Sequence, residues 1–433
     1  MNENLSLSIT HPAELIIIAI RRLYDRGLTT TSGGNISIMD ENGDTWVTPA
    51  SVDKGSLDPA DISRVRQNGE ITGIHKPSSE YPFHEAIYKA RPDIKSVIHA
   101  HPPALVSFSI VGQIPDTNII PQAKNICGPI AMAKYAIPGS KKLGENIAGE
   151  FGKGFNAVIM ENHGIVIGGS TIEDAFNRFE TLEFCARTII NARNLSDTYT
   201  RLTDDQISRY EADLECALPS MEKAVHEPDE KKLRSMIVNI VHRACRQGLM
   251  ISTYGTVSAR WTNNDFLITP TGISRWDLVA GDIVQVKDGH RESEKSPSRS
   301  ADLHQAIYRE FPGVNSIITT QPPFLMAYGI TARNLDVRII PESWIMLQNV
   351  CKVPFGSNKP ESGAVMKLLG QKINTIIIEN DAVLVTGSTL LQAYDRLEVA
   401  EFSAKSLNMG SSLGNVVLIS EESVNELKAK FLQ

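Results

Sequence analysis

No apolar run in this chain is long enough to cross a bilayer. The longest one near the start, Leu15 to Ile20, is closed at once by Arg21-Arg22, against the roughly 20 residues a spanning helix needs. Acidic Glu3 and Glu14, and the lack of a small-residue cleavage pattern, weigh against a secretory leader. Cysteine is scarce: Cys127, Cys185, Cys216, Cys245 and Cys351 lie far apart with no C-x-x-C, which reads as reduced, mostly buried thiols. There is no excess of positive charge either. With 43 basic and 50 acidic residues the net charge is -7, which argues against a nucleic-acid or anionic-membrane partner. The acidic residues are dispersed, so there is no acidic tail to explain. These absences together predict a cytoplasmic protein.

What remains is a hydrophobic content of 42% and a charged content of 21%, ordinary for a globular protein. At 433 residues the chain suggests two domains of about 200 residues each. An internal repeat supports that division. Ser96-Val97-Ile98-His99-Ala100-His101-Pro102-Pro103 returns 220 positions later as Ser316-Ile317-Ile318-Thr319-Thr320-Gln321-Pro322-Pro323. Ala86-Ile87-Tyr88 returns as Ala306-Ile307-Tyr308, and Gly34-Asn35-Ile36-Ser37 as Gly255-Thr256-Val257-Ser258. Glu161-Asn162-His163-Gly164 returns as Glu379-Asn380-Asp381-Ala382. A single long period occurring twice predicts a duplicated domain, 1–218 and 229–433, joined around Pro219 to Asp229. Each copy should open with a helix, Pro12 to Asp25 and Lys231 to Gln247, closed by Gly27 and Gly248. Further helices are expected from Pro82 and over Thr171 to Ala192, with strands at the H-x-H stretch and at Ala157 to Met160. Interleaved strands and helices predict an α/β fold, a sheet covered by helices.

In a strand, residues two apart share a face, so His99 and His101 should project side by side as a pair of ligands for a divalent cation. His163, before Gly164 at the end of an apolar strand, is a third candidate. The repeat acts as an internal control. His84 is matched by His304, which reads as structural, whereas His99, His101 and His163 are replaced together by Thr319, Gln321 and Asp381. Joint loss of three imidazoles fits a shared metal in the first copy, most readily Zn2+. Pro77-Ser78-Ser79-Glu80 precedes a helix, so Glu80 and both serines should lie at its N–H-rich end. They could serve as a general base and an anion grip, or simply cap the helix. Gly33-Gly34-Asn35 is a tight turn whose N–H groups and Asn35 amide could form an anion nest.

Taken in order, Gly34-Asn35-Ile36-Ser37, Pro77-Ser78-Ser79-Glu80, His99-Ala100-His101 and Glu161-Asn162-His163-Gly164 resemble the class II aldolase/adducin family, over nearly the whole chain. The resemblance implies a three-layer α/β/α fold with a central mixed sheet in each copy. It further implies a divalent metal on His99, His101 and His163, with Glu80 as base or additional ligand, and Gly34, Asn35, Ser78 and Ser79 on a substrate phosphate. The implied activity is a metal-dependent lyase that cleaves a carbon–carbon bond of a ketose, expected to be phosphorylated, through an enediolate. Decarboxylation, dehydration or 4-epimerisation could use the same site, and an adducin-like interaction protein is the non-enzymatic alternative. Two departures stand out: Thr48-Pro49-Ala50-Ser51 replaces the Thr-Pro-Thr-Gly of the fuculose-phosphate type, and no tyrosine occurs near Ile119-Ile120-Pro121 to act as proton donor. The second copy is expected to be degenerate, without a metal. A homo-oligomer is expected, a dimer of tandem chains imitating a four-domain ring, in which Arg299, Glu342 or Trp344 could reach a metal pocket.

Overall fold

The computed structural model describes residues 10–212, 218–221 and 226–432. Glu3 and Cys216 lie outside the described residues, as does part of the expected join. The first copy runs α1 (Pro12–Asp25), β1 (Asn35–Met39), β2 (Thr45–Val47), β3 (Ser63–Val65), β4 (Ile71–Thr72), α2 (Tyr81–Ala90), β5 (Ser96–Ala100), α3 (Pro103–Ile110), α4 (Pro121–Cys127), β6 (Ile130–Ala133), α5 (Lys141–Gly152), β7 (Ala157–Met160), β8 (Ile165–Gly169) and α6 (Ile172–Leu195). The chain continues with α7 (Asp204–Ala212), α8 (Pro228–Gln247), β9 (Thr256–Thr262), β10 (Asp265–Ile268), β11 (Val284–Lys287), β12 (His290–Arg291), α9 (Ala301–Glu310), β13 (Ser316–Thr320) and α10 (Pro323–Gly329). It closes with α11 (Pro341–Leu347), β14 (Val350–Val353), α12 (Ala364–Gly370), β15 (Thr375–Ile378), β16 (Ala382–Gly387), α13 (Leu390–Gly410) and α14 (Glu421–Phe431). No helix of the described residues is long and apolar enough to cross a membrane.

Each copy builds one eight-stranded mixed sheet, and the strand orders correspond one for one: β4-β3-β2-β1-β5-β8-β7-β6 and β12-β11-β10-β9-β13-β16-β15-β14. In the first sheet only β6 and β7 run parallel; in the second, only β14 and β15. By packing, residues up to Thr117 with Gln122–Arg187 form one unit, and Asn118–Pro121 with Thr188–Gln433 form the other. The end of α6 and all of α7 thus pack with the second unit, ahead of the expected join.

The H-x-H strand is the middle of its sheet. β5 lies between β1 and β8, antiparallel to both, with His99 opposite Asn35 on one side and Val166 on the other. All five β5 residues are buried, so both faces of the sheet are covered. Val97 points into a cluster made by Phe83 and Ile87 of α2 and Leu143, Ile147 and Phe151 of α5, together with Val158 and Val166. Alternation along β5 sends His99 to this same face. Burying each of these apolar side chains stabilises the unit by roughly 1.5–3 kcal/mol, which fixes the register of β5 and hence the aim of His99.

The helices that frame the site form for local reasons. α1 begins with Pro12 in its first turn, and His11 Nδ1 accepts the Ala13 N–H at 3.2 Å. Gly27 follows with φ +64°, a conformation that costs a side chain and suits glycine. α2 begins at Tyr81 with Pro82 in its first turn, and Glu80 is its N-cap residue. Its carboxylate makes no capping bond, so the helix end does not hold it.

Candidate metal centre

Three imidazoles converge in the first unit. Ring centroids are 4.6 Å apart for His99–His101, 5.0 Å for His99–His163 and 5.1 Å for His101–His163. One ligand nitrogen from each lies within 4.8 Å of the others, the one such group of histidine, cysteine and carboxylate donors among the described residues. Each ring is delivered by a different feature of the backbone. His99 is on β5, and its Nδ1–H donates to the Ile165 carbonyl at 2.9 Å, which leaves Nε2 with a free lone pair. His101 follows β5, just before Pro102 and α3. His163 sits in the turn between β7 and β8, closed by Met160 N–H to Gly164 O at 2.8 Å, and Ser109 Oγ accepts its N–H at 3.1 Å.

Glycines press on these rings. A Cβ on Gly164 would meet Ala100 O at 2.6 Å and His101 Cδ2 at 2.7 Å. The positive φ of this turn falls instead on Asn162, at 54°. Gly164 is therefore needed for close approach to β5, not for the sharpness of the turn. Gly34, with φ +71°, would clash with His99 O at 2.7 Å if it bore a side chain.

Glu80 turns its carboxylate towards two of these rings. Its Oε2 lies 3.3 Å from His99 Nε2 and its Oε1 3.7 Å from His163 Nε2, and Oε2 accepts a 2.8 Å hydrogen bond from Asn35 Nδ2. Burial alone would raise the Glu80 carboxyl. The His99 bond and charge, the Asn35 amide and the charge of His163 outweigh it and bring the group down to about 2. Burial, with the charges of its two neighbours, lowers His101 to about 3, and burial also lowers His163. His101 and His163 are thus neutral ligands at physiological pH and Glu80 is an anion.

Glu80 Oε1, His99 Nε2 and His101 Nε2 are buried without a hydrogen-bond partner. Three unsatisfied atoms in one site would each cost about 1–3 kcal/mol in an ordinary core. Two are imidazole lone pairs and the third is a carboxylate oxygen, the donor set of a divalent cation, so these residues fit the metal that the sequence implies.

The remaining sequence candidates are placed as follows. Asn35 is buried and both ends of its amide are engaged, Nδ2 by Glu80 and Oδ1 by His84 Nε2 at 2.5 Å. Ser78 is half-buried, with its Oγ 3.3 Å from the Glu80 N–H, and Ser79 is exposed. His84 lies one step behind Glu80, fully buried and lowered to about 3, first by burial and then by the charge of His99. In the sequence, the matching His304 marks it as structural. The signal that it also faces the site was its position four residues after Glu80 on α2.

The second unit keeps the frame and loses the donors. Ser258 Oγ meets His304 Nδ1 and Tyr308 OH at 2.8 and 2.7 Å, as Ser37 meets His84 and Tyr88 at 2.7 and 2.6 Å. Thr319, at the place of His99, takes His304 Nε2 at 3.2 Å. Gln321 donates to the Asp381 carbonyl at 3.2 Å, and Arg299 lies 3.7 Å from the Asp381 carboxylate. Arg299 is also stacked over the Tyr210 ring at 3.5 Å, and Trp344 is buried in its own unit.

Comparison with known proteins agrees with this geometry. The sequence model of the Class II Aldolase and Adducin N-terminal domain matches twice, at residues 14–190 and 235–407. A 3-oxo-tetronate 4-phosphate decarboxylase of Escherichia coli is 32% identical over 170 residues, 38% of this chain and 80% of that protein. An L-fuculose phosphate aldolase of Methanococcus maripaludis is 34% identical over 175 residues, 40% of this chain and 94% of the relative. The crystal structure of YgbL from Escherichia coli is 29% identical, covers 46% of this chain and 96% of its own, and has a TM-score of 0.42. The two matched segments hold the two sheets, and the first holds all three imidazoles with Glu80. The chain belongs to the class II aldolase and adducin family and carries the family's domain twice.

Proposed function

We propose that the chain is a metal-dependent lyase that breaks a carbon–carbon bond of a phosphorylated ketose, with the working site in the first copy. The observation that carries this reading is the convergence of three imidazoles, with Nε2 of His99 and of His101 buried and unsatisfied and the bare Oε1 of Glu80 beside His163. His99, His101 and His163 would hold the cation, and three neutral imidazoles suit zinc. When bound, such a cation supplies Lewis-acid stabilisation of negative charge that develops on a substrate oxygen.

The protein's own residues do the rest. Glu80, an anion with Oε1 unbonded, takes the proton from a substrate hydroxyl as the bond breaks and returns it to carbon. The Gly34 backbone and the Ser78 and Ser79 hydroxyls grip the substrate phosphate. A second reading, decarboxylation of a phosphorylated 3-oxo acid, is favoured by the decarboxylase relatives at 31–32% identity. Loss of CO2 needs no hydroxyl deprotonated, so the ionised Glu80 would then act only in relaying a proton from water to the carbon that CO2 leaves. The second copy is a degenerate partner, and two tandem chains form a cytoplasmic dimer that imitates a four-domain ring.

The test is metal analysis of the purified protein with turnover of ketose 1-phosphates and of 3-oxo acid phosphates, scored for aldehyde and for CO2. The parent should hold close to one cation per chain and turn over one class, and His99→Ala should lose both. A parent with neither metal nor turnover overturns the enzyme reading in favour of an interaction protein. Light scattering that gives a strict monomer overturns the ring.

A further inference from the structure

We infer that Asn35 and His84 are positioning residues for Glu80, aligned in a hydrogen-bond chain of fixed direction that reserves one carboxylate oxygen for the reaction. This rests on the reading that Glu80 moves the proton. The chain runs from the core to the site: Tyr88 OH to Ser37 Oγ at 2.6 Å, Ser37 to His84 Nδ1 at 2.7 Å, His84 Nε2 to Asn35 Oδ1 at 2.5 Å, and Asn35 Nδ2 to Glu80 Oε2 at 2.8 Å. Every member but Glu80 is buried.

Donor and acceptor roles leave one arrangement. Asn35 presents its NH2 to Oε2 and its carbonyl to His84. His84 must then carry its hydrogen on Nε2, which leaves Nδ1 to accept from Ser37, and Ser37 in turn accepts from Tyr88. Oε2 is held in place and Oε1 stays bare, so the two oxygens of one carboxylate differ. A fixed base within reach of its proton is what general-base chemistry requires, and a swinging carboxylate would lose that alignment.

The second copy shows that the inner part of the chain belongs to the fold and the outer part to the site. Ser258, His304 and Tyr308 repeat the inner three. There His304 Nε2 ends on Thr319 Oγ1, and the place of Asn35 is taken by Thr256, bonded to Ser298 Oγ at 2.6 Å. Only the first copy continues the chain to a carboxylate. This assigns the Asn35 side chain to the base instead of the substrate phosphate, whose grip is left to Gly34, Ser78 and Ser79.

The test uses the full chain and four variants: Asn35→Ala, His84→Phe, His84→Gln and, as a control in the second copy, His304→Phe. Asn35→Ala and His84→Phe should lower kcat about 10–100-fold with KM within twofold, the range for losing a partner that orients a reacting group. His84→Gln, whose amide can still donate to Asn35, should recover much of the loss, and His304→Phe should leave kcat unchanged. Two readouts do not depend on turnover. In the metal-free protein, 15N-imidazole spectra should show His84 protonated on Nε2 alone, and calorimetric binding of inorganic phosphate should survive Asn35→Ala while Ser79→Ala weakens it. A His84 protonated on Nδ1, loss of phosphate binding or a raised KM in Asn35→Ala, or equal loss of kcat in His84→Phe and His304→Phe would each overturn the inference. If the parent turns over nothing, the functional reading fails, and the imidazole spectra still decide the direction of the chain.

Discussion

His304 is fully buried, with Nδ1 facing Ser258 and Nε2 facing Thr319, and burial lowers its titration to about 3. In the unfolded chain it titrates near 6.5. The folded value lies below the unfolded one, so acid favours the unfolded state: the unfolded chain takes up a proton that the fold refuses. Stability from this group is full above about 6.5 and is lost as pH falls towards 3, at about 1.4 kcal/mol per pH unit. From pH 7 to pH 5 the loss is about 2 kcal/mol.

His304→Gln removes the titration and keeps a polar side chain of similar reach. Urea unfolding at pH 7, 6 and 5 should show the variant less stable than the parent at pH 7, with the gap closing by about 2 kcal/mol by pH 5. Carboxylates with lowered values, such as Glu292, lose their contribution only below the ordinary carboxylate range, outside this window. They also cancel when variant and parent are compared at each pH. A gap that stays constant from pH 7 to pH 5 would refute the claim that the fold keeps His304 neutral.

Glu183 gives the opposite slope. It accepts the Leu105 N–H at 3.2 Å at the start of α3, and burial raises it to about 7. Its stabilisation is therefore complete below the unfolded value and lost as pH rises through about 7. Relative to the parent, Glu183→Gln should gain up to about 3 kcal/mol between pH 4 and pH 9, read by the same urea titrations. Gly164→Ala should cost about 1–3 kcal/mol, because its methyl would meet the Ala100 carbonyl, and should weaken metal binding by displacing His101. Thermal unfolding and a zinc titration check both effects. Zinc at a hundredfold excess over its Kd should stabilise the parent by about 2.7 kcal/mol, and His101→Ala should lose that shift in a melting assay.

Much of the fold was legible because the repeat supplied a second reading of each element. The helix expected at Pro12 to Asp25 and the strand at Ala157 to Met160 occur with those bounds. The helix expected from Thr171 runs three residues past Ala192 to Leu195, since its packing partners are distant in sequence and no local stop signal marks its end. The three imidazoles were legible by their joint loss from the second copy. The place of Asn35 was not, because a glycine turn looks the same whether its amide faces an anion or a buried histidine. Only the pairing of β1 with β5 decides that, by setting Asn35 beside His99 and against α2. The part of Gly164 was also hidden: a glycine beside a turn suggests positive φ, whereas its constraint comes from a strand more than sixty residues away.

The difference between the two copies follows from the cost of an empty metal site. Imidazoles and a carboxylate crowded into one site leave buried atoms unsatisfied, and each is a burden of about 1–3 kcal/mol unless a ligand compensates. A copy with no metal to bind has no such compensation, so substitutions that let these positions bond to one another are stabilising there. That is the pattern at two of the three places in the second unit: Thr319 satisfies His304, and Arg299 brings a positive charge beside the Asp381 carboxylate, whereas Gln321 reaches the Asp381 carbonyl through Nε2 and leaves its Oε1 unpaired. The Ser258–His304–Tyr308 trio survived because it is already satisfied by itself. The first copy kept the unsatisfied arrangement, and the cation proposed for it would supply the compensation.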